Sequence, residues 1–319
     1  MLPVSPVPRR PFDPVTTGAL VLAVVAVSSS APLVAFAAAP ALAVAFWRNL
    51  LSVAVLGPFS ATRRRAEFRS LRVGAGRREG VYCVLSGVAL AAHFATWMPS
   101  AKLTSVAAAT ALCATQPVWQ GLIARAQGRR LPGAVWVGIA VAVAGAGVAT
   151  GADFAVSGRA VAGDLLAVAG GMFAAVYTAL GERARTTIST TTYTTICYGV
   201  CALLLLVVCL VGRVPLTGFD TDTWLVVLAL VAGAQLLGHS MFNFALKKVS
   251  ATTVSVLALL EAPGAALIGW AWLGQLPGVT ALLGLALLLS GVAVVVLGGA
   301  RRARPLSTAV PADAAPPGD

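Results

Sequence analysis

The sequence is poor in charged residues and in histidine. Asp, Glu, Lys and Arg together make up 11% of its 319 residues, and it contains 2 histidines. A soluble domain has roughly 25% charged residues, and a globule with so little charge would expose more apolar surface than water tolerates. The composition therefore excludes an ordinary soluble enzyme, a disordered chain and a fibrous repeat, and it predicts a membrane protein.

Sequence motifs of catalysis and cofactor binding are also missing. The 5 cysteines lie within apolar stretches and form no C-x-x-C pair, so we expect them to be small apolar helix residues rather than a metal or redox site. No H-E-x-x-H motif occurs, and the absence of G-x-x-x-x-G-K-[ST] argues against ATP as the direct energy source. We therefore expect no catalytic residue, no metal site and no cofactor.

Long apolar stretches are abundant instead. Hydrophobic residues make up 58% of the chain, and ten stretches approach the ~20 residues that a helix needs to cross a bilayer. A chain in lipid must satisfy its own backbone hydrogen bonds, and these stretches are too long for barrel strands. The sequence thus predicts an all-α integral membrane protein with ten transmembrane helices. The predicted spans are residues 15–38, 41–60, 81–99, 103–124, 134–151, 163–181, 190–212, 223–244, 251–274 and 279–300.

The distribution of Lys and Arg orients these helices. With the N-terminus inside, 19 of the 23 basic residues fall in inner segments. Only Lys102, Arg159 and Arg213 fall in outer segments, and Arg48 lies within a span. Because positive charge accumulates on the inner side, both termini are predicted to be cytoplasmic. The same pattern accounts for the net charge of +12, so no nucleic-acid partner is expected.

The chain contains an internal repeat. A shift of about 146 residues aligns several marker residues, which are His93 with His239, Lys102 with Lys248, Pro117 with Pro263, Gly138 with Gly284 and Gly145 with Gly291. Each repeat has five predicted helices, and since five is odd, the second repeat enters the membrane from the opposite side. The predicted organisation is a cytoplasmic segment (1–14), two inverted repeats (15–151 and 152–300) and a disordered cytoplasmic tail (301–319).

Two further patterns concern packing and the membrane surface. The Gly- and Ala-rich stretches 138–151 and 284–299 are predicted to make close helix contacts. The Arg-rich segment from Arg63 to Arg78 is expected to set the topology, with contact to anionic lipid headgroups as the alternative.

Several short motifs resemble those of a known family. Residues 242–251 (FNFALKKVSA), 259–263 (LLEAP) and 273–275 (LGQ) occur in this order, and residues 45–51 (AFWRNLL) carry an arginine in the second helix. Together, over residues 15–300, they resemble EamA-like proteins of the drug/metabolite transporter superfamily. The resemblance implies small-molecule transport, often export of amino acids, metabolites or drugs. Two positions depart from the family pattern: Ala262 separates Glu261 from Pro263, and Gln275 stands where a glutamate is common.

Polar residues within the spans are the candidates for function, because ionisable groups in a bilayer are costly. Arg48, His93, His239 and Glu261 are the ionisable ones. Trp97 and Asn243 follow the two histidines at a spacing of four and so share their helix faces, and Gln116 adjoins the position equivalent to Glu261. The predicted substrate-cavity residues are His93, Trp97, Gln116, His239, Asn243, Glu261 and Arg48.

The sequence leaves the roles of these residues open. Each histidine is expected to line the cavity, to couple transport to protons through titration near pH ~6.5, or to pack against a neighbouring helix. Glu261 is a candidate for recognising an amine, for binding a proton, or for pairing with Arg48. Arg48 is a candidate for attracting a carboxylate, for bonding to carbonyls, or for extending outward to the interface. The proton-coupling candidates are His239 and Glu261.

The predicted function is a secondary transporter for a small organic solute, working by alternating access between the inverted repeats and favouring export. The expected location is the plasma (inner) membrane, as a multi-pass protein whose partners are the substrate and the lipid bilayer, and a homodimer is left open. The alternatives are a membrane-embedded enzyme, which would need grouped catalytic residues, and a non-transporting scaffold, which would form a sealed bundle.

Overall fold

The described residues of the chain are helical. The computed structural model describes residues 13–71, 76–104, 106–150, 158–273 and 278–302, and no strand occurs within these ranges. The predicted cytoplasmic segment up to residue 12, the repeat junction at 151–157, Gln275 and the tail from residue 303 lie outside the described residues. Within the described part, the predicted all-α class is confirmed.

Fifteen α-helices and one π-helical segment follow one another along these ranges. The π-helical segment, Val231–His239, joins the eleventh helix to the twelfth. The α-helices are α1 Pro14–Ser28, α2 Ser30–Phe36, α3 Ala41–Arg63, α4 Arg65–Ser70, α5 Arg77–Leu103, α6 Val106–Cys113, α7 Gln116–Ala126, α8 Gly133–Thr150, α9 Gly158–Ala184, α10 Thr190–Val211, α11 Thr221–Leu230, α12 Ser240–Ala245, α13 Ala251–Ala258, α14 Glu261–Leu273 and α15 Val279–Arg302.

Seven helical segments in the described residues are long and apolar enough to cross a membrane. They are Pro14–Val34, Ala41–Arg63, Arg77–Ser100, Gly158–Ala184, Thr190–Val211, Thr221–Ala245 and Val279–Leu297. Gly133–Ala149 and Ala251–Gly264 are shorter apolar helices. All ten predicted spans overlap helix, but three are divided: 15–38 into α1 and α2, 103–124 into α6 and α7, and 251–274 into α13 and α14. The count of ten membrane crossings therefore stays a prediction.

The outer surface of the bundle is apolar. Leucines and valines on several spans are more than half exposed, among them Leu165 at 67%, Leu210 at 63% and Val211 at 81%. The buried faces of the same helices carry small residues, such as Ala167 and Gly170 on α9. Because water does not tolerate an apolar surface of this extent while lipid does, the fold is that of a multi-pass membrane protein.

The largest buried cluster surrounds α10. Its Tyr193, Cys197, Tyr198, Cys201 and Leu205 are fully buried against α3 and α5. The cysteines of the chain are unpaired, and those of α10 pack as small apolar side chains.

Helices α8 and α15 pack along a seam of glycines. A Cβ atom at Gly145 would lie 2.3 Å from the backbone nitrogen of Leu288, and one at Gly284 would lie 2.1 Å from that of Ala149. These distances leave no room for a side chain at either position, so the backbones of the two helices are in direct contact. The close helix contact predicted from these Gly-rich stretches is confirmed.

The seam also shows how the equivalent helices are oriented. The contacts of Gly138 include Gly291, and those of Gly145 include Gly284, so the residue numbers rise on one helix as they fall on the other. α8 and α15, the fifth predicted helices of the two repeats, are therefore antiparallel, as inverted repeats would place them. Helices α3 and α10 are the equivalent second helices, and they make a corresponding contact through Ser60 and Thr195, whose hydroxyl oxygens are 2.8 Å apart.

Candidate functional site

A cavity of about 210 Å³ lies at the centre of the bundle. Residues from both halves of the chain line it. In the first half and on α9 they belong to every helix from α1 to α9 except α4, and further along they belong to the π-helical segment and to α12, α13 and α14. The structure brings together all seven residues predicted to line a substrate cavity, which are Arg48, His93, Trp97, Gln116, His239, Asn243 and Glu261. A mainly apolar cavity with a few polar side chains is the usual form of a small-molecule site.

Two interrupted helices border the cavity at equivalent positions of the repeats. The break between α6 and α7 and the break between α13 and α14 each span two residues, followed by Pro117 and Pro263. Tight turns of the i→i+3 type carry the chain across: Val118 N–H donates to the Thr115 carbonyl at 2.9 Å, and Ala262 N–H donates to the Leu259 carbonyl at 3.2 Å. Since proline lacks a backbone donor, each break leaves carbonyls free of the helical ladder. Paired breaks of this kind are typical of binding sites in transporters.

Arg48 is buried beside the cavity, with 1% of its surface exposed. Its Nε donates to Gln235 Oε1 at 2.8 Å, and Gln235 Nε2 in turn donates to Asn49 Oδ1 at 3.1 Å. The guanidinium carbon lies 4.9 Å from the centre of the Phe94 ring, which gives a cation–π contact. Arg48 Nη2 is buried without a hydrogen-bond partner in the described residues. Arg48 therefore points into the bundle rather than outward to the interface.

His93 is held in one orientation by a neighbouring helix. Its Nδ1 lies 2.9 Å from the carbonyl oxygen of Gly170 on α9. Because a carbonyl only accepts, Nδ1 carries the hydrogen, and Nε2 of the neutral ring is left as an acceptor. The ring stacks on Trp97, with the ring centres 6.1 Å apart and the planes 5° from parallel. His93 thus combines the predicted packing contact with a place in the cavity wall.

His239 lies at the end of the π-helical segment and has a different environment. Its ring contacts Phe94 and Tyr177, with centre-to-centre distances of 6.2 Å and 6.3 Å. Within the described part of the chain, its ring nitrogens form no hydrogen bond. Single π-helical turns are frequent at functional sites because they change which residues face inward. Here the wider turns place Gln235 against Arg48 and His239 against the cavity.

Glu261 begins α14 and faces the cavity. Its position at the helix N-terminus favours a negative charge, whereas burial favours the neutral acid. None of the described residues forms an ion pair or a hydrogen bond with its carboxylate, so the predicted pairing with Arg48 is not formed in this structure. The equivalent residue in the first repeat, Thr115, donates to the Leu112 carbonyl at 2.6 Å and accepts from Trp119 at 3.2 Å. The two breaks are alike in backbone and unlike in chemistry.

The two amides predicted for the cavity are anchored to α9. Gln116 Nε2 donates to Thr178 Oγ1 at 3.2 Å, and Asn243 Nδ2 donates to the Tyr177 hydroxyl at 2.7 Å. Both partners also line the cavity. These bonds fix the orientation of the amides and leave their carbonyl oxygens available for a ligand.

Gln235, Phe94 and Tyr177 are site residues that the sequence did not single out. Gln235 holds Arg48, Phe94 contacts both Arg48 and His239, and Tyr177 contacts His239. Gln235 carried a usable signal, since an amide within an apolar span is costly. The two aromatic residues carried none, because most aromatic residues in spans pack without a function.

The ion pairs between residues far apart in the described sequence lie at the end of the bundle predicted to be cytoplasmic. Arg129 donates to both carboxylate oxygens of Glu182, at 2.8 Å and 2.7 Å, and Lys248 pairs with Asp13. The hydrogen bond from Lys248, followed by that from the Thr16 backbone, lowers the pKa of Asp13 to about 2. At the opposite end, uncharged bonds join the repeats: Trp47 Nε1 donates to the Leu216 carbonyl at 2.7 Å, and the Ala38 N–H donates to Thr223 Oγ1 at 3.2 Å.

The site offers no metal-binding cluster among the residues that the structure describes, since no three His, Cys, Asp or Glu residues gather there. Its chemistry is that of a binding pocket. It has one buried cation, one carboxylate, two imidazoles and several aromatic walls.

Comparisons with known proteins agree with this architecture. The sequence model of the EamA-like transporter family matches residues 16–151 and 161–297. A solved structure, titled only as a crystal structure of a protein, superposes with a TM-score of 0.75 over 90% of this chain and 98% of that chain, at 22% identity. That similarity concerns the fold alone. No curated protein matches the sequence significantly. Because the two family matches cover most of the chain, it belongs to the EamA-like transporter family, whose members are membrane transporters.

Proposed function

We propose that the chain is a secondary transporter that exports a small organic solute across the plasma membrane by alternating access, with both termini in the cytoplasm. The observation that carries this proposal is the central cavity, which is lined by residues of both halves of the chain and is bordered by an interrupted helix from each. Inverted repeats provide two related arrangements in which the same cavity opens to one side or the other.

The polar contacts at the two ends of the bundle support alternating access. At one end Arg129 joins Glu182 and at the other Trp47 joins Leu216, so each of these two contacts links the first repeat to the second. Opening either end requires the contacts at that end to break while those at the other end stay formed. The charged contacts lie at the predicted cytoplasmic end, where water can solvate the separated charges and keep the cost of opening low.

The lining of the cavity indicates which solutes fit. Arg48 has a buried donor, Nη2, without a partner in the described residues, and such a donor is stabilised by a carboxylate or another anion. Glu261 offers the opposite charge and suits an amine. A zwitterion satisfies both groups, so we favour amino acids over other metabolites and drugs as the solute. Trp97 and Phe242 contribute apolar walls to the cavity.

Proton coupling is assigned to His239 and Glu261 within the same proposal. Neither has a hydrogen-bond partner among the described residues, and both face the cavity. A group that is free to exchange its proton with the cavity, and whose charge a substrate can replace or balance, couples the two binding events. His93 is left out of this assignment because its ring is anchored, by the bond from Nδ1 to the Gly170 carbonyl and by stacking on Trp97.

The test is flux into proteoliposomes from a mixed pool of amino acids and cationic drugs, with and without an imposed proton gradient. We expect flux that follows the gradient and is lost in His239→Ala and in Glu261→Gln, while both variants insert and purify as monodisperse protein. Thr115→Ala is the matched control, because it alters the equivalent break outside the cavity lining, and it is expected to transport normally. Normal flux in both cavity variants would overturn the site, and flux indifferent to the gradient would overturn the coupling.

A further inference from the structure

A second cavity, of about 450 Å³, opens on the surface of the bundle at the end of α3. Small residues of α3, Gly57 and Ala61, form its floor. A Cβ atom at Gly57 would meet only Val53 Cγ1, at 3.9 Å, so this floor stays open. The other lining residues are Arg65, Phe68 and Arg69 of α4 and Thr195 of α10, and we call this cavity the α3–α4–α10 groove.

The two arginines of the groove carry uncompensated charge. Arg65 and Arg69 are exposed, and neither forms an ion pair with any of the described residues. Arg65 Nε donates to the Ala61 carbonyl at 2.8 Å, which directs the side chain over the groove and leaves both terminal nitrogens available. Arg65 and Arg69 are four residues apart and therefore lie on one face of α4.

The carboxylate nearest to these arginines in the sequence, that of Glu67, is hydrogen-bonded at the start of α10. Glu67, also on α4, accepts hydrogen bonds from the Ser189 backbone at 2.5 Å and from the Ser189 hydroxyl at 2.6 Å. The Thr192 hydroxyl adds a third bond at 2.5 Å. With its oxygens occupied at the start of α10, Glu67 leaves the groove with the positive charge of two arginines, next to Arg63 and Arg64.

The depth of the groove places it at the boundary between lipid and water. The span Ala41–Arg63 ends at the groove, and the span Thr190–Val211 begins near it. Just below, Val55 and Phe59 of α3 are 57% and 51% exposed, as lipid-facing side chains are. A ligand in the groove thus has guanidinium groups on its water side and an apolar surface on its lipid side.

We propose that the α3–α4–α10 groove binds an anionic phospholipid, with Arg65 and Arg69 on the phosphate and the acyl chains along α3. Arginine forms paired hydrogen bonds with phosphate, and basic residues at the inner surface of a membrane bind anionic lipids. A free phosphate ion would use the same arginines, but it would gain nothing from the apolar surface beneath them. The proposal is independent of the transport function.

A bound lipid would also touch both repeats. Arg65 and Arg69 belong to the first repeat and Thr195 to the second, and the Ser60–Thr195 hydrogen bond lies at the back of the groove. Since the headgroup would add contacts across this joint, lipid binding is expected to raise the thermal stability of the whole chain.

The test measures lipid retention on the purified full chain by native mass spectrometry, together with the thermal shift in a neutral detergent. The probes are phosphatidylglycerol, phosphatidylcholine with the same acyl chains, and inorganic phosphate. We expect phosphatidylglycerol to bind in preference to phosphatidylcholine, and its affinity to fall about fivefold for each arginine removed in Arg65→Gln/Arg69→Gln. Inorganic phosphate is expected to give no shift at concentrations that match the lipid.

Two variants separate the groove from general surface charge. Arg77→Gln/Arg125→Gln removes the same charge from the same end of the bundle but outside the groove, and it should retain the lipid. Ala61→Leu fills the floor while keeping both arginines, and it should lose the lipid. Equal losses in the two double variants, retention in Ala61→Leu, or binding of phosphate as tight as that of the lipid would each overturn the proposal.

Discussion

The two repeats are alike along the seam of α8 and α15 and unlike around the central cavity. Along the seam, Gly138 and Gly145 have equivalents in Gly284 and Gly291, and all four lie at backbone contacts. Around the cavity, the histidines are shared, whereas Thr115 is the equivalent of Glu261 and Thr194 that of Arg48. Packing of two identical backbones constrains both copies equally, while a solute without two-fold symmetry does not. The seam preserves the duplication, and the cavity shows where function has modified it.

The largest effect is expected from a side chain placed in the seam. Gly145→Val should lower the free energy of unfolding by about 3 kcal/mol or more, because its Cβ would meet the Leu288 backbone nitrogen at 2.3 Å and a backbone has no rotamer with which to yield. The measurement is the melting temperature in detergent. Gly147→Ala is the control on the same helix, since a Cβ there meets no atom within 4 Å. Because alanine has the higher helix propensity, this variant should be at least as stable as the parent. Equal melting temperatures for the two variants would show that the backbones of α8 and α15 are not in direct contact at Gly145.

The sequence predicted the seam and the members of the cavity for identifiable reasons. Glycine repeats in apolar spans predict close packing, and costly polar groups in spans predict function, so Arg48 and Glu261 could be found without coordinates. The π-helical segment Val231–His239 could not, because nothing in that stretch distinguishes i→i+5 from i→i+4 hydrogen bonding. Since that segment brings Gln235 to Arg48, the partner of the arginine was missed with it.

The second prediction concerns the asymmetry between Arg48 and Thr194. Arg48→Lys should cost about 2 kcal/mol of stability, because lysine cannot reproduce the planar contact with Gln235 and Phe94 and leaves the buried amide short of a donor. Thr194→Val changes the equivalent position, where the hydroxyl donates to the Thr190 carbonyl of its own helix at 2.9 Å, and it should change stability by less than about 0.5 kcal/mol. Chemical denaturation of both variants checks the difference. If Thr194→Val proved the more damaging, the two positions would not differ in the way the hydrogen bonds indicate.

The histidines provide a smaller and sharper contrast, because they are identical residues at equivalent positions. His93 donates to the Gly170 carbonyl and stacks on Trp97, whereas His239 forms no hydrogen bond with the described residues. His93→Ala should therefore lose about 1 kcal/mol more stability than His239→Ala. The expected order reverses for transport, where His239→Ala has the greater effect. Parallel melting curves and flux measurements test both halves, and equal stability of the two variants would contradict the assignment of His93 as the anchored histidine.

The smallest effect is expected at the predicted cytoplasmic end, where Glu67 joins the repeats outside both seam and cavity. Partial burial opposes its charge, but the hydrogen bonds from Ser189 and Thr192 prevail and hold the pKa of Glu67 below its ordinary value of 4.5. A lowered pKa contributes stability that is complete above the ordinary value and is lost as the pH falls through the lowered one. On lowering the pH from 7 to about 3, the melting temperature of the parent chain should thus fall further than that of Glu67→Gln. Asp222→Asn, which removes a carboxylate from the first turn of α11, is the control for the loss of one negative charge elsewhere. The same fall in melting temperature in all three proteins would rule out Glu67 as its source.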